Sequence, residues 1–251
     1  MITNGSAAKI SWSFIVLGIF AIAMGALEAI VVVYIRQLYY PQGFEFPLSL
    51  FSQQLISVEW LREASTIVML TAIGILAGTN NIQRFAYSLY TFAIWDIFYY
   101  VWLKILLDWP SSLLTWDVLF LIPVPWVGPV LAPVIASLTM ILLGGTIIFL
   151  QGKGYAVKLR LLEWGLIYAG SATILYTFTW DYSRIIIQGW PLLNSESSMG
   201  DTHFWEVISA YVPTYYNWYL FILGEVFILC AVVVMFRQIL EGVKENQNGM
   251  L

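Results

Sequence analysis

Charged residues are scarce in this chain of 251 residues, because Asp, Glu, Lys and Arg together make up only 10% of it. A soluble domain of ordinary composition carries about 25% of these residues. Hydrophobic residues make up 60% and aromatic residues 17%, and the mean hydropathy is +0.80. Since several apolar runs reach the roughly 20 residues that cross a hydrocarbon core, the sequence predicts an all-α polytopic transmembrane helix bundle.

Cysteine and histidine are almost absent as well, with one residue of each, Cys230 and His203. A single cysteine excludes an internal disulfide and a Cys-X-X-Cys redox pair, and a single histidine excludes a haem held by two histidines of this chain. The sequence contains no basic block and no glycine-rich phosphate loop, so we expect neither nucleic acid nor nucleotide as a partner. No cofactor is predicted.

The apolar runs predict six membrane spans, separated by polar or turn-rich connections. Their ranges are 12–36, 60–79, 85–107, 126–150, 161–186 and 214–237. A further apolar segment, 111–122, is only about 12 residues long and contains Asp117, which favours a short interfacial or re-entrant helix. Residues 1–251 are expected to form a single integral membrane domain, with 238–251 as a short cytoplasmic tail.

The distribution of lysine and arginine predicts the orientation of the bundle, because short cytoplasmic loops carry an excess of both. With the N-terminus inside, seven basic residues fall on the cytoplasmic side, namely Lys9, Arg84, Lys153, Lys158, Arg160, Arg237 and Lys244. Four fall on the other side: Arg36, Arg62, Lys104 and Arg184. Both termini are therefore expected in the cytoplasm, and in a bacterium the protein would lie in the inner membrane.

Small residues at four-residue spacing predict where helices pack closely in lipid. The pattern occurs at Ala21, Gly25 and Ala29, at Gly74 and Gly78, and at Gly128, Ala132 and Ala136. Glu28 follows Gly25 by three residues, so its side chain is expected to face protein rather than lipid.

Charged side chains inside the predicted spans are the candidates for function, because each costs about 2.5–3.5 kcal/mol at membrane depth unless it is paired or hydrated. The five acids are Glu28, Glu63, Asp96, Asp181 and Glu225, and the four bases are Arg36, Arg62, Lys104 and Arg184. If they converge, the network is nearly neutral with one carboxylate in excess, as expected for a proton or cation site. Asp96 or Glu225, nearest to mid-membrane, is the expected titrating group.

Asp96, Tyr100 and Lys104 follow one another at four-residue steps, which places them along one side of a helix. Such a ladder could relay protons or hold a polar head group through hydrogen bonds. Aromatic packing is the simpler explanation for Tyr100 in a chain this rich in aromatic residues. The charged network also has a structural interpretation, in which its ion pairs fix the helix register without binding anything.

Two other polar features are interpreted as structural. Glu163 follows the basic residues Lys158 and Arg160, and we expect it to snorkel from the end of its span. The loop residues Asp201, His203 and Glu206 match no standard metal-ligand spacing, so no metal site is predicted.

Three functions fit these features, and the fold alone does not separate them. The first is a small-solute transporter or channel in the cell membrane whose carboxylates couple transport to protons or a cation. The second is a non-catalytic subunit that assembles or anchors a larger complex, with other membrane subunits or a second copy of the chain as partners. The third is an intramembrane quinone- or lipid-binding protein or enzyme that uses Asp96, Tyr100 and Lys104. The lipid bilayer is a partner in all three, and no catalytic residue is assigned.

Overall fold

The computed structural model describes residues 4–193 and 209–248, and six α-helices make up most of these ranges. The helices are α1 (Asn4–Tyr39), α2 (Gln53–Ala77), α3 (Asn81–Leu107), α4 (Leu131–Gly152), α5 (Leu161–Leu193) and α6 (Trp218–Asn248). Two short strands, β1 (Trp116–Phe120) and β2 (Trp126–Pro129), lie between α3 and α4. The predicted helical bundle is confirmed, with this β-hairpin as an exception among the described residues.

Five helices are long and apolar enough to cross a membrane, which supports an integral membrane protein. The segments are Trp12–Tyr39, Gln53–Ala77, Asn81–Leu107, Leu131–Gly152 and Trp218–Glu241. The α5 helix is not among them, since its many Thr, Tyr, Trp and Gly residues lower its hydropathy. The sixth span therefore stays a prediction.

The predicted short helix over 111–122 is wrong, because part of this segment forms strand β1. The two strands are antiparallel, with Asp117 opposite Gly128 and Val118 opposite Val127. Prolines at 123, 125 and 129 cannot donate backbone hydrogen bonds and would break any helix that continued through them. Valine and phenylalanine in β1 suit an extended conformation, so local propensity and the prolines both favour the hairpin.

Close helix packing at the predicted small residues is confirmed on two faces of α3, which contacts α1, α2 and α4. A Cβ atom on Gly25 of α1 would lie 3.0 Å from the Trp95 carbonyl oxygen, and one on Gly74 of α2 would lie 2.6 Å from the Ser88 backbone nitrogen. Gly128 is different, because it belongs to β2 and packs under the ring of Phe178.

The α5 and α6 helices form an antiparallel pair whose backbones touch at two glycines. A Cβ on Gly170 would lie 2.6 Å from the Gly224 carbonyl oxygen, and a Cβ on Gly224 would lie 2.8 Å from that of Gly170. Any side chain at either position would force the helices apart. The pair meets the rest of the protein through α4 and β2.

One end of the bundle carries the β-hairpin, and we call it the hairpin end. Here α1, α3 and α5 end, and α2, α4 and α6 begin, so six helix ends lie at the same end of the bundle as the strands. Irregular backbone is therefore concentrated at this end and is covered by helices.

Gly170→Ala should destabilise the protein by about 1–3 kcal/mol, because its methyl group would overlap the Gly224 carbonyl. Gly165→Ala is the matched control on the same helix, since a Cβ there meets nothing within 4 Å. The control should be neutral or stabilising by up to about 1 kcal/mol. Thermal unfolding of both variants in mild detergent, followed by tryptophan fluorescence, measures the difference. Equal unfolding midpoints would contradict the close backbone contact.

Candidate functional site

A cavity of about 520 Å³ lies at the hairpin end, between α1, α2, α3 and the β-hairpin. Its walls are largely apolar and aromatic, and they include Phe44, Phe51, Trp60, Trp95 and Tyr99. Five carboxylates and two guanidinium groups also line it: Glu28, Glu59, Glu63, Asp96, Asp117, Arg36 and Arg62. Small-molecule sites in proteins commonly have volumes of about 300–1,000 Å³, and this cavity falls within that range.

Arg62 of α2 joins three of the carboxylates. Its Nη2 atom lies 2.8 Å from Glu59 Oε2 and 3.8 Å from Glu63 Oε1, and its Nη1 atom pairs with Glu28 Oε1 of α1. The Thr66 hydroxyl donates a second bond to Glu28, at 3.2 Å. All three glutamates are at most 9% exposed. Since an unpaired buried charge is costly, each of them depends on Arg62 for its charged form.

The α2 helix brings this set together through its regular spacing. Glu59, Arg62, Glu63 and Thr66 stand at steps of three, four and seven residues, which place them on one helix face. The helix begins well before residue 60, because the Ser52 side chain caps it by accepting a hydrogen bond from the Leu55 amide at 3.2 Å. A predicted start at residue 60 left Glu59 in a loop. Its spacing from Arg62 is the signal by which it could have been found.

Glu63 also fixes the β-hairpin to α2. The Leu121 backbone amide donates to both of its oxygens, at 3.0 Å to Oε1 and 2.9 Å to Oε2. Leu121 immediately follows β1, where the strand ladder has ended. Hydrogen bonds to a charged acceptor are stronger than neutral ones, so Glu63 supplies a firm partner for a backbone group that helix or ladder does not satisfy.

A second ion pair fixes the hairpin to α1. Arg36 Nη2 lies 3.1 Å from Asp117 Oδ1, and both side chains are buried. The Arg36 guanidinium also lies 3.7 Å from the ring centroid of Trp109 and 4.5 Å from that of Phe44, as in cation–π contacts. Burial raises the pKa of Asp117 to about 6, although the Arg36 guanidinium and the Tyr100 hydroxyl oppose the shift.

Asp96 and Tyr100 of α3 line the cavity one helical turn apart. Asp96 accepts a hydrogen bond from the Ser137 hydroxyl of α4 at 2.8 Å, and the Tyr100 hydroxyl interacts with Asp117. Asp96 forms no salt bridge within the described ranges, unlike the other four carboxylates of the cavity. Its charge is therefore the least compensated of the set.

Of the predicted site residues, the structure brings together Glu28, Glu63, Asp96 and Tyr100, with Arg36 and Arg62 beside them. Arg36 pairs with Asp117, a residue outside the predicted charged network. Asp117 and Glu59 are the two cavity carboxylates that the sequence did not include in the site.

Lys104, the last member of the predicted ladder, lies outside the cavity. It is half-exposed at the end of α3, where its Nζ atom is 2.6 Å from Asp108 Oδ1 and 3.2 Å from the carbonyl oxygens of Asp108 and Pro110. A long flexible lysine side chain near a helix end can extend to the polar boundary. The four-residue step from Tyr100 therefore does not bring the Lys104 ammonium group into the cavity.

Three further predicted residues also lie away from the cavity. Glu225 of α6 is buried close to Thr139 of α4, and neither of its oxygens has a hydrogen bond of normal geometry. Asp181 of α5 interacts with the Tyr211 hydroxyl, and Arg184 is exposed. These three residues lie on α5 and α6, and the way these helices pack keeps their side chains away from the cavity.

The expectation that Glu163 snorkels to solvent is wrong. It is fully buried at the opposite end of the bundle, where it accepts hydrogen bonds from the Arg160 backbone amide at 2.8 Å and from the Gln238 side chain of α6. Asp201, His203 and Glu206 lie outside the described residues. Within 4–193 and 209–248, no three His, Cys, Asp or Glu side chains are grouped as metal ligands.

Several polar atoms around the cavity have no protein partner. Arg36 Nη1, Trp95 Nε1 and Asp117 Oδ2 are buried without a hydrogen bond of normal geometry. Buried polar groups in proteins are bonded in the great majority of cases. Arg36 lies against two aromatic rings and Asp117 interacts with Tyr100, so both side chains still have polar or cation–π contacts there.

No protein-family model, curated protein sequence or solved structure matches the chain. The fold and the cavity define a helical integral membrane protein with a buried, carboxylate-rich cavity at one end. Any more specific function rests on that geometry.

Glu63→Ala should remove the acceptor of the Leu121 backbone amide, because this amide donates to the two Glu63 oxygens. Losing a hydrogen bond to a charged acceptor should speed the exchange of the Leu121 amide about tenfold or more. Hydrogen exchange with mass spectrometry of peptides covering 118–122 measures it. Glu59→Ala is the control, because it removes another Arg62 partner and leaves the Leu121 bonds in place. Equal protection in the two variants would contradict this anchoring role.

Asp117 should take up a proton as the pH falls through about 6, because burial raises its pKa from the ordinary 3.8. The folded protein binds this proton more tightly than the unfolded chain does. Protonation of Asp117 therefore stabilises the fold, and this contribution is lost as the pH rises through about 6. Infrared difference spectra should show a protonated carboxyl band below that pH which Asp117→Asn removes. A band unchanged by this substitution, or one that appears only below about pH 4, would contradict the shift.

Proposed function

We propose that the protein is a cell-membrane carrier that couples the movement of a small solute to protons or to a cation. The observation that carries the proposal is the cavity, which extends from the hairpin end to Asp96, near the middle of α3. Its five carboxylates face only two guanidinium groups. Such an excess allows protons to bind when the solute is absent and to leave when it arrives.

The non-helical backbone beside the cavity supports the same proposal. Leu119, Leu121 and the prolines at 123 and 125 line it, and they belong to the hairpin that separates α3 from α4. In membrane proteins irregular backbone is tolerated where it is covered by protein or lines a cavity.

We also propose that α5 is a sixth span. Its 33 residues give a length of about 50 Å, which exceeds the thickness of a hydrocarbon core. Six crossings place both termini on one side, and the lysine and arginine excess predicts that this side is the cytoplasm. The cavity then lies in the outer half of the membrane.

A second candidate function is the binding of a quinone or a lipid head group. The observation in its favour is the contact between the Tyr100 hydroxyl and Asp117 in a largely apolar cavity. Mass spectrometry of an organic extract of the purified protein distinguishes it, because a tightly bound quinone or lipid would be recovered in stoichiometric amount. Co-purifying protein chains would instead favour the complex-subunit hypothesis.

Proteoliposomes test the carrier function. Vesicles containing the protein and a pH-sensitive dye are exposed to three solute sets, namely cationic amines, dicarboxylates and neutral sugars, and then to the same sets with an imposed sodium gradient. At least one set should produce coupled movement, and Asp96→Asn should slow it about tenfold or more, since that carboxylate is least compensated.

Asp108→Asn is the matched control, because it removes a carboxylate at the same end of the bundle that is exposed and does not line the cavity. It should transport at the normal rate. The carrier function is excluded if no set moves protons or follows the sodium gradient in vesicles whose protein is folded and correctly inserted.

A further inference from the structure

The charge of the cavity limits the class of ligand that it can bind. Its two guanidinium groups are already engaged, Arg36 by Asp117 and two aromatic rings, and Arg62 by three glutamates. Arg36 Nη1 has no hydrogen bond, but Nη2 is bonded to Asp117 and the guanidinium is buried against the two rings, so neither arginine offers two free parallel N–H groups to an anion. Asp96, by contrast, has the neutral Ser137 hydroxyl as its hydrogen-bond donor and stands without a salt bridge in the described ranges. The charge of the cavity that is not balanced by a partner within the protein is therefore negative.

The size and walls of the cavity are the second observation. About 520 Å³ is far more than a bare metal ion occupies, and the described residues contain no metal-ligand group. Rings of Trp60, Trp95, Tyr99 and Tyr100 stand around Asp96 and the other carboxylates. Aromatic faces attract ammonium groups and accommodate apolar bodies, so these walls suit an organic molecule that carries a positive charge.

We propose that the cavity binds an amphiphilic organic cation, with its ammonium group against Asp96 and its apolar body against the aromatic rings. This inference rests on the cavity proposed above as the solute site, and it names the class of solute. An ammonium group at Asp96 also relieves the repulsion between that carboxylate and Asp117.

Binding of benzoylcholine to the full chain in mild detergent tests the proposal. This probe carries a trimethylammonium group, an ester oxygen and a phenyl ring, and isothermal titration calorimetry at about pH 8 keeps exposed carboxylates ionised. Its two comparison compounds are the neutral ester in which a tert-butyl group replaces the trimethylammonium group, and the analogue with a sulfonate there. The cation should bind about tenfold or more tightly than either of them.

Asp96→Asn should weaken benzoylcholine binding about tenfold or more and leave the neutral ester unaffected, and Asp108→Asn should change neither. Equal affinity of the cation and the neutral ester for the unmodified protein overturns the proposal without reliance on any variant. So does tighter binding of the sulfonate, or an unchanged affinity in Asp96→Asn.

The two proposals fail in different ways. Coupled flux with dicarboxylates or sugars but not with amines overturns the organic cation and leaves the carrier. Selective binding of benzoylcholine without flux of any solute set overturns the carrier and leaves the binding site.

Discussion

Arg62 is the cation on which the arrangement at the hairpin end depends. Glu28, Glu59 and Glu63 are buried beside it, and without it three carboxylates would repel one another in a medium of low dielectric constant. Breaking a buried pair of this kind costs about 3–5 kcal/mol. Through Glu63 the effect reaches further, because that carboxylate holds the Leu121 amide. The position of the hairpin is thus linked to one guanidinium group on α2.

The hairpin itself is possible because its backbone groups find partners. The Val130 amide donates to the Thr115 carbonyl at 3.0 Å, the Leu131 amide donates to the Leu113 carbonyl at 2.7 Å, and the strands bond each other. Glu63 satisfies the backbone at the turn, and the Arg36–Asp117 pair closes the other side. These charged contacts hold the hairpin in place beside the cavity. Asp96 makes no hydrogen bond or ion pair with the hairpin among the described residues, and bonds Ser137 of α4 instead.

The helices and the presence of buried charges could be predicted from the sequence, because apolar runs report depth in the membrane directly. The prediction that Glu28 faces protein followed from its spacing to Gly25, and Glu28 is indeed buried against Arg62 and Thr66. Hydropathy does not distinguish a short helix from a strand, which explains the error over 111–122. Glu59 was not included in the site because the predicted span began at residue 60. Asp117 was not included because its segment was predicted to be a short helix, whereas it lies in strand β1.

The direction in which a side chain points was less predictable than its depth. Glu225 has the depth expected of a site residue, but α6 turns it toward α4, and only the tertiary packing of the helices decides this rotation. Lys104 illustrates the opposite limit. It follows Tyr100 by four residues along α3, but its long side chain carries the charge to the end of the helix, where it contacts Asp108.

The contact between Gly170 and Gly224 has a mechanical consequence. Since the two backbones touch without intervening side chains, α5 and α6 are closely packed and would move together. The ring of Phe178 on α5 rests on Gly128 of β2, and β2 is paired with the strand that carries Asp117. A tilt of this helix pair would therefore displace the strand that carries Asp117.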